Sequence, residues 1–347
     1  MAERDAITDR DASEPTARGL PRSSWAFAAR RAWHGFVRHS GIDSAAAMSF
    51  FSALAIFPAA LSVVSALAIG NGDGRRATDF LLSIADELAQ PATVETIRAP
   101  LEALLSISNP GIALAIGLVL SLWSLASYAT AFGRAVNRAY EVQEGRQIWK
   151  FRGLMLVVSA FLLVEFTLIA ALLLTTPRVA EAIGQSIGIG EPWITTFDIA
   201  RWPLLAVLVG LMIGVLYYFT PNVTHERIRW ISHGAIFAIV VWLLGSAGFV
   251  LYASTIAPYD RIYGWLGGGL VLLIWLYISN LVFALGAEVD AEVMRLRQLH
   301  AGIAAEESIR VTMRDTTRNL MLARQRAADE AEGRSIRERY GDSDRRV

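Results

Sequence analysis

The sequence predicts an all-α fold: a polytopic membrane protein with six transmembrane helices and short amphipathic helices at both faces. Three observations predict it. Charged residues are only 18% of the chain and hydrophobic ones 54%, where soluble domains carry about 25% charged residues. The deficit is concentrated in six apolar runs, at residues 44–69, 111–133, 153–176, 202–220, 231–257 and 262–287. As helices these runs are long enough to cross a hydrocarbon core of about 30 Å, each or with a slight overrun at the ends. The remaining charges gather between the runs, and arginine is unevenly shared between the two sides.

Residues 1–23 are polar and rich in Pro, Ser, Asp and Arg, the composition of a disordered tail. No cleavable signal peptide is expected, because the first apolar run is too long for one. From residue 24 to 40, Trp25, Ala29, Ala32, Trp33 and Phe36 recur at helical spacing, with Arg30, Arg31 and Arg38 elsewhere. This is an amphipathic helix with two placements open, flat on the membrane surface or packed on the bundle.

The first run carries Pro58 near its middle, which can kink a helix, and Ser49, Ser52, Ser62 and Ser65 along it. Asp43 stands just before it as a candidate cap. Residues 71–109 hold two short amphipathic pieces punctuated by Pro91 and Pro100. The second run ends in a loop with Arg134, Arg138, Arg146, Lys150 and Arg152. The third contains one charge, Glu165, near its midpoint. The fourth carries Gly210 and Gly214 as a G-x-x-x-G pair, a spacing that lets another helix approach closely. The sixth opens on Gly264, Gly267, Gly268 and Gly269 and closes on the acids Glu288, Asp290 and Glu292. Gly264 and Gly268 form a second such pair. These glycines and Pro58 are packing or hinge positions. Residues 24–295 therefore form the membrane domain, and 296–347 a charged tail.

Six spans put both termini on one side. The loops after spans two and four and the segment before span one carry more Arg and Lys than the opposite loops, which predicts cytoplasmic termini.

Several blocks resemble the YihY/BrkB family of bacterial inner-membrane proteins. They are DSAAAMSFFSALAIFP with Asp43, Phe50 and Pro58; AVNRAYEVQEGRQIWKFR with Asn137, Tyr140, Trp149 and Lys150; YYFTPNVTHERIRWISHGAIFAIVVWLL with Pro221, Arg229, Gly234 and Trp242; and YGWLGGGLVLLIWLYISNLVFALGAEVDAE with Tyr263, Trp275, Tyr277 and Glu288. The blocks stand in order over roughly residues 25 to 295. The resemblance implies a six-helix inner-membrane protein. Members of that family are described as transporters or envelope factors, and the family also carries an older ribonuclease label.

Composition narrows the chemistry. There is no cysteine, so disulfides, thiolate metal sites and cysteine nucleophiles are excluded. The formal net charge is zero, and nothing in it points to a nucleic acid. The five histidines are scattered, without H-x-H or H-x-x-x-H spacing, and no P-loop or Ser-His-Asp arrangement is readable. No metal or other cofactor is implied, and the chain reads as a non-enzyme.

Glu165 is the sharpest single residue. A carboxylate at the bilayer centre costs about 2.5 to 3.5 kcal/mol on insertion scales, and such groups face the bundle or a wet cavity. Two readings stay open: a proton or substrate site, or a protonated acid hydrogen-bonded to a neighbouring helix. Asn280, Ala284 and Glu288 share one face of span six and could line an inner vestibule, with Arg134 or Arg138 as counter-charge. Asp290 simply marks the membrane exit. The residues favour a transporter of lipid or amphipathic solutes, passive or proton-coupled. An envelope assembly or structural factor is the alternative and a ribonuclease comes last. Expected partners are membrane lipids and either a second copy of the chain or an envelope protein.

Overall fold

A computed structural model describes residues 22–71, 109–175, 192–224, 232–255 and 266–341. Its helices are α1 (Arg22–Arg38), α2 (Gly41–Asn71), α3 (Pro110–Ala139), α4 (Ile148–Leu174), α5 (Pro192–Phe219), α6 (His233–Thr255), α7 (Leu266–His300) and α8 (Thr317–Tyr340). Six of them, α2 to α7, are long and apolar enough to cross a membrane. The chain is thus an all-α, multi-pass membrane protein. Extended pairing among the described residues is limited to one isolated bridge, Val223 with Met313. The expected N-terminal tail up to residue 21, the two short helices within 71–109 and Gly264 lie outside the described residues.

The helices overrun the apolar runs because a helix does not stop at its first charge. Asn109 caps α3, accepting from the backbone N–H of Gly111 and Ile112, with Pro110 at the first helical position. At the other end, Glu141 takes a left-handed φ of 57°, and Val142 N–H returns to the Asn137 carbonyl. That is a helix stop of the kind glycine usually supplies. Helix α2 continues through Pro58 without interruption. It starts at Gly41, so Asp43 sits within its first turn rather than ahead of it.

Helices α2 and α3 form the most extensive pair. They meet where Gly117 lies against the Pro58 carbonyl and Ser62, too close for any larger residue. The core fills the centre with Met48, Phe132, Met155, Leu162, Ile213 and Leu216. The rings of Phe132 and Tyr217 meet edge to face, 5.2 Å apart. Helices α6 and α7 close on each other at Gly234 and Gly286, whose backbones nearly touch.

Helix α7 has 35 residues, about 52 Å at 1.5 Å per residue, so it extends well past a 30 Å core. Its extension beyond Glu288 anchors everything at that end, hereafter the base of the bundle. Helix α1 runs along it: His39 reaches Glu288, Arg31 reaches Glu292 and Ser24 reaches His300. The packed placement of α1 is therefore the one found, with Ala28, Ala32 and Phe36 buried. Trp33 remains exposed on the flank.

The glycines divide. A methyl group built on Gly210, Gly268 or Gly269 would meet nothing within 4 Å. Among the described residues, Gly210, Gly268 and Gly269 therefore mark no close approach. Gly214 and Gly267 are buried. The tight contacts fall at Gly117, Gly133, Gly234 and Gly286 instead.

Candidate functional site

Polar side chains enter the bundle at three depths. The deepest is Glu165. On α4, Met155, Val158, Ser159, Leu162 and Glu165 form one buried stripe at helical spacing, while Val157 and Val164 on the far side are exposed. Glu165 thus faces the bundle and is 2% exposed, and neither carboxyl oxygen has a hydrogen-bond partner. Among the described residues, no interhelical hydrogen bond to Glu165 is seen. Glu165 lies 17 residues along α4, about 25 Å from its start at the base.

Between Glu165 and the base lies a polar seam. Asn280 of α7 accepts from the Tyr128 hydroxyl at 3.1 Å and donates to Ser49 Oγ at 3.2 Å, joining α7, α3 and α2. The Asn280 amide also donates to the Leu276 carbonyl, and Ser49 donates back to the Ala45 carbonyl. Every member has a partner, so the seam locks three helices in register as much as it offers polar groups.

Glu288 lies two turns further toward the base. Its partner is His39, just past the end of α1, at 2.8 Å, with Gly35 packed against the same carboxylate. Arg138, expected as its counter-charge, donates to Ser44 and acts on Glu288 only through space. Asn280 and Glu288 share a helix face, but each is engaged in its own bonds. They do not line an open vestibule together.

The base itself is a dense ionic latch. Asp290, expected only to mark the membrane exit, is buried. It accepts from the Gly234 backbone N–H at the start of α6 and from the Tyr140 hydroxyl at 2.8 Å. Burial, and then the neighbouring Asp290, push the Tyr140 hydroxyl well above its usual range, which keeps it a donor. Arg295 is fully buried and donates to Glu292, to Glu141 at 2.8 Å and to the Ala305 carbonyl at 2.6 Å. Arg297 meets His233, the first residue of α6, at 3.1 Å.

A second cluster closes the base beside it. Asn222 is fully buried. Its N–H donates to Asn137, and its amide donates to the carbonyls of Gln143 and Asp315. Arg146, held by Glu144, donates to the Thr220 carbonyl at the end of α5, and Arg314 donates to the Tyr218 and Val223 carbonyls. These guanidiniums satisfy carbonyls that a helix C-terminus leaves unpaired. Residues 305–318 thereby form a strap across the loops that follow α3 and α5, and the ordered packing continues past residue 295. The sequence reading missed Arg295, Asn222, Tyr128 and Arg314. Glu292 and Arg295 at i, i+3 were a visible signal; for the others nothing local distinguishes them.

Among the described residues, no three of His, Asp and Glu are grouped to hold a metal ion.

A family model described as Virulence factor BrkB matches residues 32–308. A ribonuclease-like protein, YfkH, of Bacillus subtilis (strain 168) is 28% identical over 270 residues, covering 76% of this chain and 94% of that protein. A UPF0761 membrane protein of Xanthomonas campestris pv. campestris (strain B100) is 24% identical, covering 76% of this chain and 60% of its own length. Another, from Alkalilimnicola ehrlichii, is 26% identical over 73% of this chain and 55% of its own length. No solved structure matches.

Proposed function

The chain belongs to the BrkB virulence-factor family, and from that premise we propose that it is a transporter of lipid or amphipathic solutes in a bacterial inner membrane, with both termini cytoplasmic and with Glu165 as its proton-carrying group. The names of its relatives speak of a membrane protein and of a ribonuclease-like one, so the argument for transport comes from the residues. The observation that carries it is the bare carboxyl of Glu165. An acid turned into a bundle with no partner is an expensive residue to keep for packing alone.

A carboxyl that meets water in only one of two arrangements can change its proton between them. Alternating between a closed and a wetted arrangement would therefore load and release one proton per cycle. The seam of Ser49, Tyr128 and Asn280 supplies polar groups between that depth and the base. The latch at the base is the element that would loosen, or about which the spans would pivot, for the inner side to open. The reading assigns no hydrolytic chemistry to the chain and needs no cofactor.

Helix α8 favours a second reading, an envelope assembly factor. It has no buried residue, and from Ala323 to Tyr340 every residue is exposed to a partner.

The test is flux of labelled lipid or amphipathic dye in proteoliposomes with and without an imposed pH gradient. The wild type should respond to the gradient. Glu165→Gln should reach the membrane at normal levels and lose the response. A Gln variant with unaltered gradient-driven flux would sink the assignment of Glu165, and no flux with any probe would favour the assembly reading.

A further inference from the structure

The outward face of α3 changes character along its length. Ile116, Leu120 and Trp123 are exposed there, at 48%, 45% and 58%. Continuing at the same helical spacing, the line runs through half-buried Ser127 and Thr130 to exposed Arg134 and Arg138. An exposed line on a membrane helix faces lipid. It therefore begins at acyl-chain depth and ends, toward the base, in two arginines one turn apart.

Two like charges at i, i+4 repel, and among the described residues only Arg138 has partners that relieve it. Arg134 has no hydrogen bond or ion pair among the described residues. Arg138 donates to Ser44 of α2. The charges acting on Arg138 are Arg134, Asp43 and Glu288. Glu288 is already held by His39 at 2.8 Å. Both acids act on Arg138, which leaves Arg134 as the exposed guanidinium at the lipid-facing edge with no acid of its own among the described residues. Arg134 lies five residues inside the end of α3, about 8 Å. Its side chain can snorkel to the headgroup layer. Guanidinium groups suit a phosphate there, because their fork of donors matches its oxygens.

We propose that Arg134 and Arg138 bind the phosphate of an anionic membrane phospholipid whose acyl chains lie along α3 past Ser127 and Trp123. As a binding site this stands on its own geometry. As the place where cargo is taken up, it rests on the transport reading above.

Native mass spectrometry of the protein in neutral detergent, titrated with phosphatidylglycerol or phosphatidylcholine, tests it. The wild type should retain phosphatidylglycerol in clear preference. Arg134→Gln with Arg138→Gln should weaken that binding about thirtyfold, on roughly fivefold per basic residue at a membrane surface. Arg134→Lys with Arg138→Lys should keep most of it, and Arg324→Gln on the exposed α8 should change nothing. Equal retention of the two lipids by the wild type overturns the proposal. So does undiminished binding by the double Gln variant, or displacement of the lipid by millimolar inorganic phosphate, which would mark a site for a soluble anion. Should the Gln variant not fold, the wild-type lipid comparison and the Lys variant decide. Binding with no flux leaves the site and removes the transport reading; flux indifferent to both arginines does the reverse.

Discussion

Replacing Arg295 by Met is the most informative single perturbation of the base. The guanidinium is fully buried and serves three acceptors in different directions: Glu292 at 3.1 Å, Glu141 at 2.8 Å and the Ala305 carbonyl at 2.6 Å. Removing one partner of a buried ion pair costs about 3 to 5 kcal/mol, because the other charge is left uncompensated. Here the lower end applies. Glu292 keeps Arg31 at 3.1 Å, and Glu141 is 23% exposed and still accepts from the Ile309 N–H. The expected loss is about 3 kcal/mol, measured by equilibrium unfolding in mixed detergent and SDS micelles. A lysine should not restore it, since one ammonium cannot span three divergent acceptors. Adding Glu141→Gln and Glu292→Gln to the Met variant should recover most of the loss, because no buried charge is then left alone. The reasoning is refuted if the Met variant unfolds with the wild type, or if the triple variant is as unstable as the single one.

Three further outcomes follow. A methyl on Gly234 would meet Asp290 Cβ at 2.5 Å and the Gly286 carbonyl closer still, so Gly234→Ala should cost about 1 to 3 kcal/mol. Gly268→Ala and Gly269→Ala, with open space around them, should be neutral or slightly stabilising in the same unfolding assay. At the start of α8, hydrogen bonds from the Thr317 hydroxyl and N–H hold the Asp315 carboxyl below its ordinary value of 3.8, helped by Lys150. A lowered value means that the folded state favours the anion. The contribution is therefore present above 3.8 and fades as pH falls through the lowered value. The hydrogen-exchange protection factor at the first turn of α8 should be level between pH 6 and 5 and fall only in stronger acid, and Asp315→Asn should abolish that step.

Six membrane helices were legible in the sequence because a span is a composition signal: a run of apolar residues with its charges at the ends declares itself without any neighbour. Glu165 was legible for the same reason, as the one charge inside such a run. That its carboxyl would be left bare was not, since that depends on what α3 and α5 bring opposite α4. The glycine motifs show the limit most clearly. Spacing announced Gly210 and Gly268, yet the close approaches fall at Gly117, Gly234 and Gly286. Small residues permit contact, and only the partner helix decides whether contact happens.

The base was the least legible region because its bonds are long-range. Arg295 with Glu141, Asn222 with Asp315 and Arg314 with Tyr218 join segments about a hundred residues apart or more. In sequence each looks like an ordinary solvated residue beside a span. Their burial has a mechanical consequence. The lipid-embedded half of α4 is held by apolar packing, which slides at little cost because lipid tails are as apolar as leucine, whereas α6 is tied to α7 by the Trp242–Ser279 and Trp275–Ser246 hydrogen bonds. The base is held by directional bonds to buried charges, and those resist partial movement. Any rearrangement that wets Glu165 from the base side must then open the latch in discrete steps or pivot the spans about it. The second route leaves α1, α7 and the strap fixed and moves α4 and α5 against them. It is distinguishable by experiment: spin labels on Val157 and Val207 should change distance to a label on Leu320 while a label pair on Arg30 and Leu320 stays constant. A constant Val157 to Leu320 distance under every condition that supports flux would place the motion in the latch instead.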